Sequence, residues 1–390
     1  MKVIILPGKA ELLGKFAWME RGKLLLRYCE EEFESRYGRA LRGALRWLAR
    51  SVRACGGSSA WWAPGWGWAP PYPETSGYLV PTFLRAGTKN EHYLKLALRM
   101  IRWLTLLQHQ DGWFPAGVAS SQKSPSVFNT AQILLGLTEA WRVLKNKRAR
   151  DSAIKAAHWL LETQEEDGSW RCYGYFEGFF PSYYTRVAWP LALAAVELGL
   201  EEAAASAQKC LLKIAERAEG DWVRDMGFLP RSAAFTHTIA YTARGFLECG
   251  VLLDKKWWAV GRKMVWRMLR LAEKEGLAGA YDEKWKPVWK GICVTGHAQV
   301  ALCMLRVCEI EKDWRFLSTA LKLIDKVVSI QKRLWFVAGG GLPGSYPIWE
   351  RYMRFRFPNW AAKFFVDTLI QAKERMLQWV RSLESKKLRF

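Results

Sequence analysis

Apolar residues recur at three- and four-residue steps, with Lys or Arg between them, over 38–52, 91–108, 151–164, 201–218, 255–275 and 313–331. That spacing predicts six amphipathic helices, each with one face in solvent. Between them lie segments that are apolar on almost every side, such as 133–137 and 298–302. These read as helices surrounded by protein. Each opens on small or polar residues, at 73–78, 128–132, 183–186, 235–238, 293–297 and 357–360, where Ser, Thr or Asn is expected to cap the first turn. Strand-like alternation is almost absent, and 55–72 reads as a long loop.

The chain also repeats a turn. Gln108-His109-Gln110-Asp111-Gly112-Trp113 returns as Gln164-Glu165-Glu166-Asp167-Gly168-Ser169-Trp170, 56 residues on from Asp111 to Asp167. Looser copies follow around Asp225 to Phe228, around Glu275 to Gly279, and from Gln331 to Gly341. A fixed step with alternating outer and inner helices predicts a closed ring of six helical hairpins. The expected fold is therefore all-α, an (α/α)6 toroid with little or no β-structure. It spans 38–380 as one domain, after an N-terminal extension or helix (1–37) and before a basic tail (381–390).

The two clear turns resemble the QW repeats of the prenyltransferase and terpene-cyclase superfamily. The whole chain, particularly 72–78, 128–132 and 341–349, also resembles toroid proteins of bacterial and archaeal polysaccharide synthesis. Those are similar to uronyl C5-epimerases, polysaccharide lyases and unsaturated-glucuronyl hydrolases. The first resemblance implies a DxDD or DDxxD cluster, or a zinc set of Asp, Cys and His; the chain has no Asp-x-Asp, no DDxxD and no Asp-x-Cys. The second implies an enzyme acting on a uronate sugar.

Composition narrows the partners. Lys plus Arg number 59 against 37 Asp plus Glu, a net charge of +22, which calls for an anionic partner. No zinc finger, RNA-binding signature or basic arm is present, so no nucleic acid is expected. An acidic glycan is the first choice and an anionic membrane surface the second. Residues 3–6 are too short an apolar run for a signal peptide, and no span approaches the roughly 20 apolar residues of a membrane helix. Eight scattered Cys without a CxxC read as reduced thiols. A cytoplasmic protein, peripheral to the membrane if it meets one, is expected, with no metal or cofactor.

In such a ring the inner helices run in parallel and their N-termini gather at one mouth, where helix dipoles favour an anion. Glu74 stands among aromatics and prolines, which suits a carboxyl with a raised pKa. His237 and His297, two of only five His, open helices at similar repeat positions. His237, Tyr241 and Arg244 follow at steps of four and three and share a face. Together they suit abstraction of a proton beside a carboxylate. The candidate catalytic residues are Glu74, His237, Tyr241, His297 and, as a second carboxylate for hydrolysis, Asp282. Candidate binding residues are Tyr78, Asn129, Gln132, Tyr184, Arg186, Arg244, Trp66, Trp68, Tyr346, Trp349, Arg354 and Asn359. The leading expectation is a carbohydrate-active enzyme on an acidic, uronate-containing glycan, by C5 epimerisation, β-elimination or hydrolysis. The alternatives are a terpene cyclase or prenyl-lipid enzyme without the usual DxDD, and a non-catalytic glycan-binding toroid.

Overall fold

The structure, a computed structural model, describes residues 18–119 and 124–387. The signal-peptide expectation, the first part of the N-terminal extension and the last residues of the basic tail lie outside them. Inner helices are α3 (Pro73–Gly87), α5 (Val127–Leu144), α7 (Thr185–Leu198), α9 (Thr236–Leu252), α11 (Val294–Glu311) and α14 (Asn359–Lys387). Outer helices are α2 (Arg39–Cys55), α4 (Glu91–Leu107), α6 (Lys147–Glu162), α8 (Glu201–Ala215), α10 (Lys255–Lys274) and α12 (Trp314–Arg333). Each inner helix packs on its outer partner and on its two inner neighbours, and α14 closes the ring against α3 and α2. Among the described residues this is the expected (α/α)6 toroid. α1 (Trp18–Phe33) precedes the ring and packs on α14; the short α13 (Trp335–Ala338) follows α12.

The two ends of the ring are connected differently. At one end an inner helix turns into its outer partner within two or three residues. Lys145 and Lys312 take left-handed conformations that stop α5 and α11. Asn146 and Asp313 follow, and their side chains cap α6 and α12. The cap at Asn146 starts α6 at Lys147, four residues before the expected Asp151.

At the other end the connections run from 17 residues (56–72) to 25 (334–358). Paired two- and three-residue strands join these long loops, for example 61–63 with 67–68 and 357–358. The repeated turn anchors the same loops to the perimeter. Gln108 donates to Gly112 O and to Ser152 O on the next outer helix, both at 2.9 Å. Gln164 does the same to Gly168 O and Ser206 O at 3.0 Å. Gln331 closes the circle, to Gly340 O at 2.8 Å and Ala40 O on α2 at 3.2 Å. The glycines are required there: Gly168 has φ +88°, and a Cβ on it would stand 2.6 Å from the Lys209 backbone.

The inner-helix openers do not behave as expected. Ser126, just ahead of the expected opener, caps α5, while Thr130, Thr185 and Asn359 reach sideways to other segments. Thr130 Oγ1 accepts from Phe114 N at 2.9 Å, and Thr185 donates to Thr242 O at 3.1 Å. Asn359 accepts from Trp47 Nε1 at 2.9 Å and donates to Ser51 Oγ at 2.5 Å and Ser59 O at 2.8 Å. These groups spend their hydrogen bonds on joining repeats. Among the described residues no helix is long and apolar enough to cross a membrane.

Candidate active site

Glu74 enters in the first turn of α3 behind Pro73 as a half-buried residue. Burial pushes its carboxyl up to about 7 from an ordinary 4.5, against the pull of the Tyr72 hydroxyl, Arg186 and Tyr78. One turn on, Tyr78 is buried, with its hydroxyl 3.2 Å from Thr75 Oγ1. Arg186, in the first turn of α7, is 2% exposed. It donates from one Nη to Gln132 Oε1 at 2.7 Å, while its Nε has no partner. Gln132 in turn donates to Arg186 O at 2.9 Å, so it aims the guanidinium.

His237 Nδ1 stands 2.6 Å from Gln299 Oε1, and its ring lies 4.4 Å from that of Tyr241. Burial lowers His237 to about 4, with the Gln299 bond opposing and Arg186 assisting, so the imidazole is neutral near pH 7. The Tyr241 hydroxyl faces Tyr78 and Gln299 without a well-formed bond to either. Burial and the Glu74 charge keep that phenol protonated.

Aromatic rings surround this cluster at the long-loop end. Tyr72, Phe128, Phe228, Phe235 and Trp360 are each half-buried residues there. Phe128 lies 5.7 Å from Tyr241, and Tyr72 lies 6.1 Å from Trp360. Tyr352 reaches in from the 347–356 loop to within 5.5 Å of His237 and accepts from Trp360 Nε1 at 3.0 Å.

On the other side of Tyr78 and Tyr241 lies a cavity of about 500 Å³. Its inner wall includes Tyr78, Arg186, Tyr241, Gln299 and Lys363, and it extends to the last turns of the inner helices, at Arg85, Arg142, Glu197 and Glu309. This corrects the expected geometry. The polar groups do converge near the helix N-termini, but long loops and aromatic rings crowd that end, and this cavity faces the short-loop end.

The candidates therefore divide. Glu74, Tyr78, Gln132, Arg186, His237 and Tyr241 come together. Arg244 lines the cavity but is held by Glu248 at 2.6 Å and Leu302 O at 3.2 Å. His297 is no partner of His237: its Nδ1 faces Cys293 O at 3.0 Å, and Lys326 of the outer helix α12 helps burial lower its pKa to about 4. His237 is the second residue of α9 and His297 the fourth of α11. At 3.6 residues per turn that offset is a rotation of roughly 200°.

Asp282 is no second carboxylate, because its Oδ1 accepts from the backbone N–H of Lys284 and Lys286 and shapes a hairpin turn. Asn129 donates to Pro115 O at 2.8 Å, and Asn359 ties α14 to α2 as described above. Tyr184 is fully buried, packed between Phe180 and Tyr183. Trp68 packs on Trp47 at 4.7 Å, and Tyr346 bonds Arg333 at 3.1 Å. Trp66, Trp349 and Arg354 point to solvent.

Several groups escaped the sequence reading. Lys363 and Asp367 form a buried ion pair at 2.8 Å, with Thr82 donating to Asp367 at 2.8 Å; burial, against the Asp367 charge, lowers Lys363 to about 8. Their signal was available, a Lys and an Asp four apart in the otherwise apolar run 360–370 at the start of α14. Tyr72 stood in the 72–78 segment without being singled out, and Tyr352 carried no signal, since a loop residue has no periodicity to place it.

No family model matches the chain, and no curated protein does. Solved structures match its fold. Cellobiose 2-epimerase from Spirochaeta thermophila is 14% identical at a TM-score of 0.68, over 90% of this chain and 97% of its own. Unsaturated glucuronyl hydrolase from Bacillus sp. GL1 is 16% identical at 0.64, over 86% and 96%. D-mannose isomerase is 12% identical at 0.66, over 88% and 97%. All are (α/α)6 toroids, and at these identities the likeness is one of fold.

Proposed function

We propose that the chain is a carbohydrate-active enzyme that moves a proton at C5 of a uronate unit in an acidic glycan, giving epimerisation or β-elimination. The observation that carries this reading is a single carboxyl, Glu74, poised near neutrality beside a buried arginine inside an aromatic cradle. Aromatic faces suit stacking against sugar C–H groups. The names of the fold neighbours, a glucuronyl hydrolase, a sugar epimerase and a sugar isomerase, support sugar chemistry.

The sugar carboxylate would bind along the Arg186 guanidinium, whose Nε lacks a partner. Ionised Glu74 would take the C5 proton, sending the C–H electron pair into the carboxylate as an enediolate. Arg186 and the unpartnered Tyr241 hydroxyl would hold that charge. Delivery of a proton to the opposite face of C5 by the Tyr241 hydroxyl, which recovers one from protonated Glu74 through solvent, gives the epimer; breaking of the C4–O bond, with the departing oxygen taking the proton from Glu74, gives the unsaturated sugar. A pKa near 7 suits Glu74 to both directions of transfer. Two-carboxylate hydrolysis is less supported, because Asp282 is committed to a turn. The cavity wall carries seven basic and six acidic side chains, which is poor lining for a prenyl chain.

The test is incubation with uronate oligosaccharides in heavy water. Deuterium at C5 by NMR, or the ultraviolet absorbance of an unsaturated uronate, is expected. Turnover of neutral sugars with neither signal would overturn the reading.

A further inference from the structure

The outer face of the long-loop end carries a second surface that this chemistry does not use. The hairpin 61–68 projects from the molecule: Trp66 is 86% exposed, and nothing lies within 4 Å of where a Cβ on Gly65 or Gly67 would stand. Strand pairing brings the 347–356 loop beside it, with Trp61 opposite Pro358. Arg356 lies over Trp61 at 4.8 Å and Arg354 over Phe355 at 5.5 Å, while Phe355 N donates to Ile348 O at 2.8 Å. Trp349 and Phe355 are 58% and 48% exposed, and Arg351, Arg354 and Arg356 are all exposed. Residues 56–72 contain no acid. Within 345–358 the one acid is Glu350, whose carboxylate accepts from Trp289 at 2.9 Å.

We infer that this face is a docking surface for a membrane bearing anionic lipid headgroups. Protruding aromatic tips flanked by arginines suit insertion at the headgroup level, where indole rings and guanidinium groups are both favoured. Three exposed arginines against a single acid, Glu350, within 345–358 match a negative surface, in a chain of net charge +22. The inference is independent of the reaction at Glu74, since vesicle binding needs no turnover.

The test floats the full chain with vesicles of phosphatidylcholine alone and of phosphatidylcholine mixed with phosphatidylglycerol, at low and high salt. The chain is expected to float with the mixed vesicles only, and to be released by salt. Replacing Arg351, Arg354 and Arg356 by Gln should weaken binding about 5-fold per residue. Replacing Trp66, Trp349 and Phe355 by Ser should weaken it at least about tenfold. Unchanged thermal midpoints would show that both variants fold. Failure of the parent chain to float, or aromatic variants that float as well as the parent, would overturn the inference. Loss of retention on immobilised alginate in the same variants, without vesicle binding, would assign the face to glycan instead.

Discussion

Around the perimeter, Gln108, Gln164 and Gln331 make one contact three times, each amide bridging its own glycine turn and the next outer helix. On the axis, no such repetition holds. His237 turns inward to Gln299 while His297 turns back to its own helix, and Glu74 and Arg186 each occur once. Repeated residues close the ring because every hairpin must meet its neighbour in the same way. Chemistry sits where the repeats differ, because a reacting group needs unlike partners on different sides. Changes at the perimeter should therefore act on stability, and changes on the axis on turnover.

The largest effect is expected at Glu74. Glu74→Gln should lower kcat on a uronate substrate by about 1000-fold, the middle of the range for a lost proton-transfer group. The same variant should gain stability as pH rises. With its folded pKa raised above the unfolded one, ionisation of Glu74 disfavours the fold. That penalty is absent below about 4.5 and complete above about 7. Denaturant unfolding should show the variant about 3 kcal/mol more stable than the parent at alkaline pH and equal to it in acid.

Gly168→Val attacks the perimeter instead. A side chain at φ +88°, with its Cβ 2.6 Å from the Lys209 backbone, should lose about 3 kcal/mol of stability in urea titration. Turnover per folded molecule should hold. Arg186→Lys returns to the axis: loss of the planar fork should reduce kcat/KM on uronates by about 30-fold, while a neutral sugar is bound as by the parent. The smallest change compares the two histidines. His237→Gln, which removes the ring packed on Tyr241, should lower kcat by about tenfold, whereas His297→Gln should show its effect in the unfolding midpoint.

The ring was legible because helical periodicity survives in any folded context. The inner-helix openers fall within a few residues of their observed starts, and the shared face of His237 and Tyr241 followed from a four-residue step. Direction of the side chains was not legible. Thr130, Thr185 and Asn359 looked like caps, but caps and links between helices use the same residue types, and only tertiary neighbours decide between them. His297 misled for a reason of phase: an offset of two residues within the first turn is invisible in a loose alignment of openers and reverses the face. The crowding of the long-loop end by Tyr352 and its neighbours depends on how unequal loops fold over one another, which no local pattern encodes.

The proposed proton transfer depends on the state of one carboxyl. NMR titration of glutamate labelled with 13C at the carboxyl, with Glu74→Gln to assign the resonance, reads it directly in the full chain. The account predicts a single glutamate signal that titrates near pH 7, vanishes in the variant and shifts when a uronate sugar is added. A Glu74 signal that titrates near 4.5, indifferent to the sugar, would contradict it.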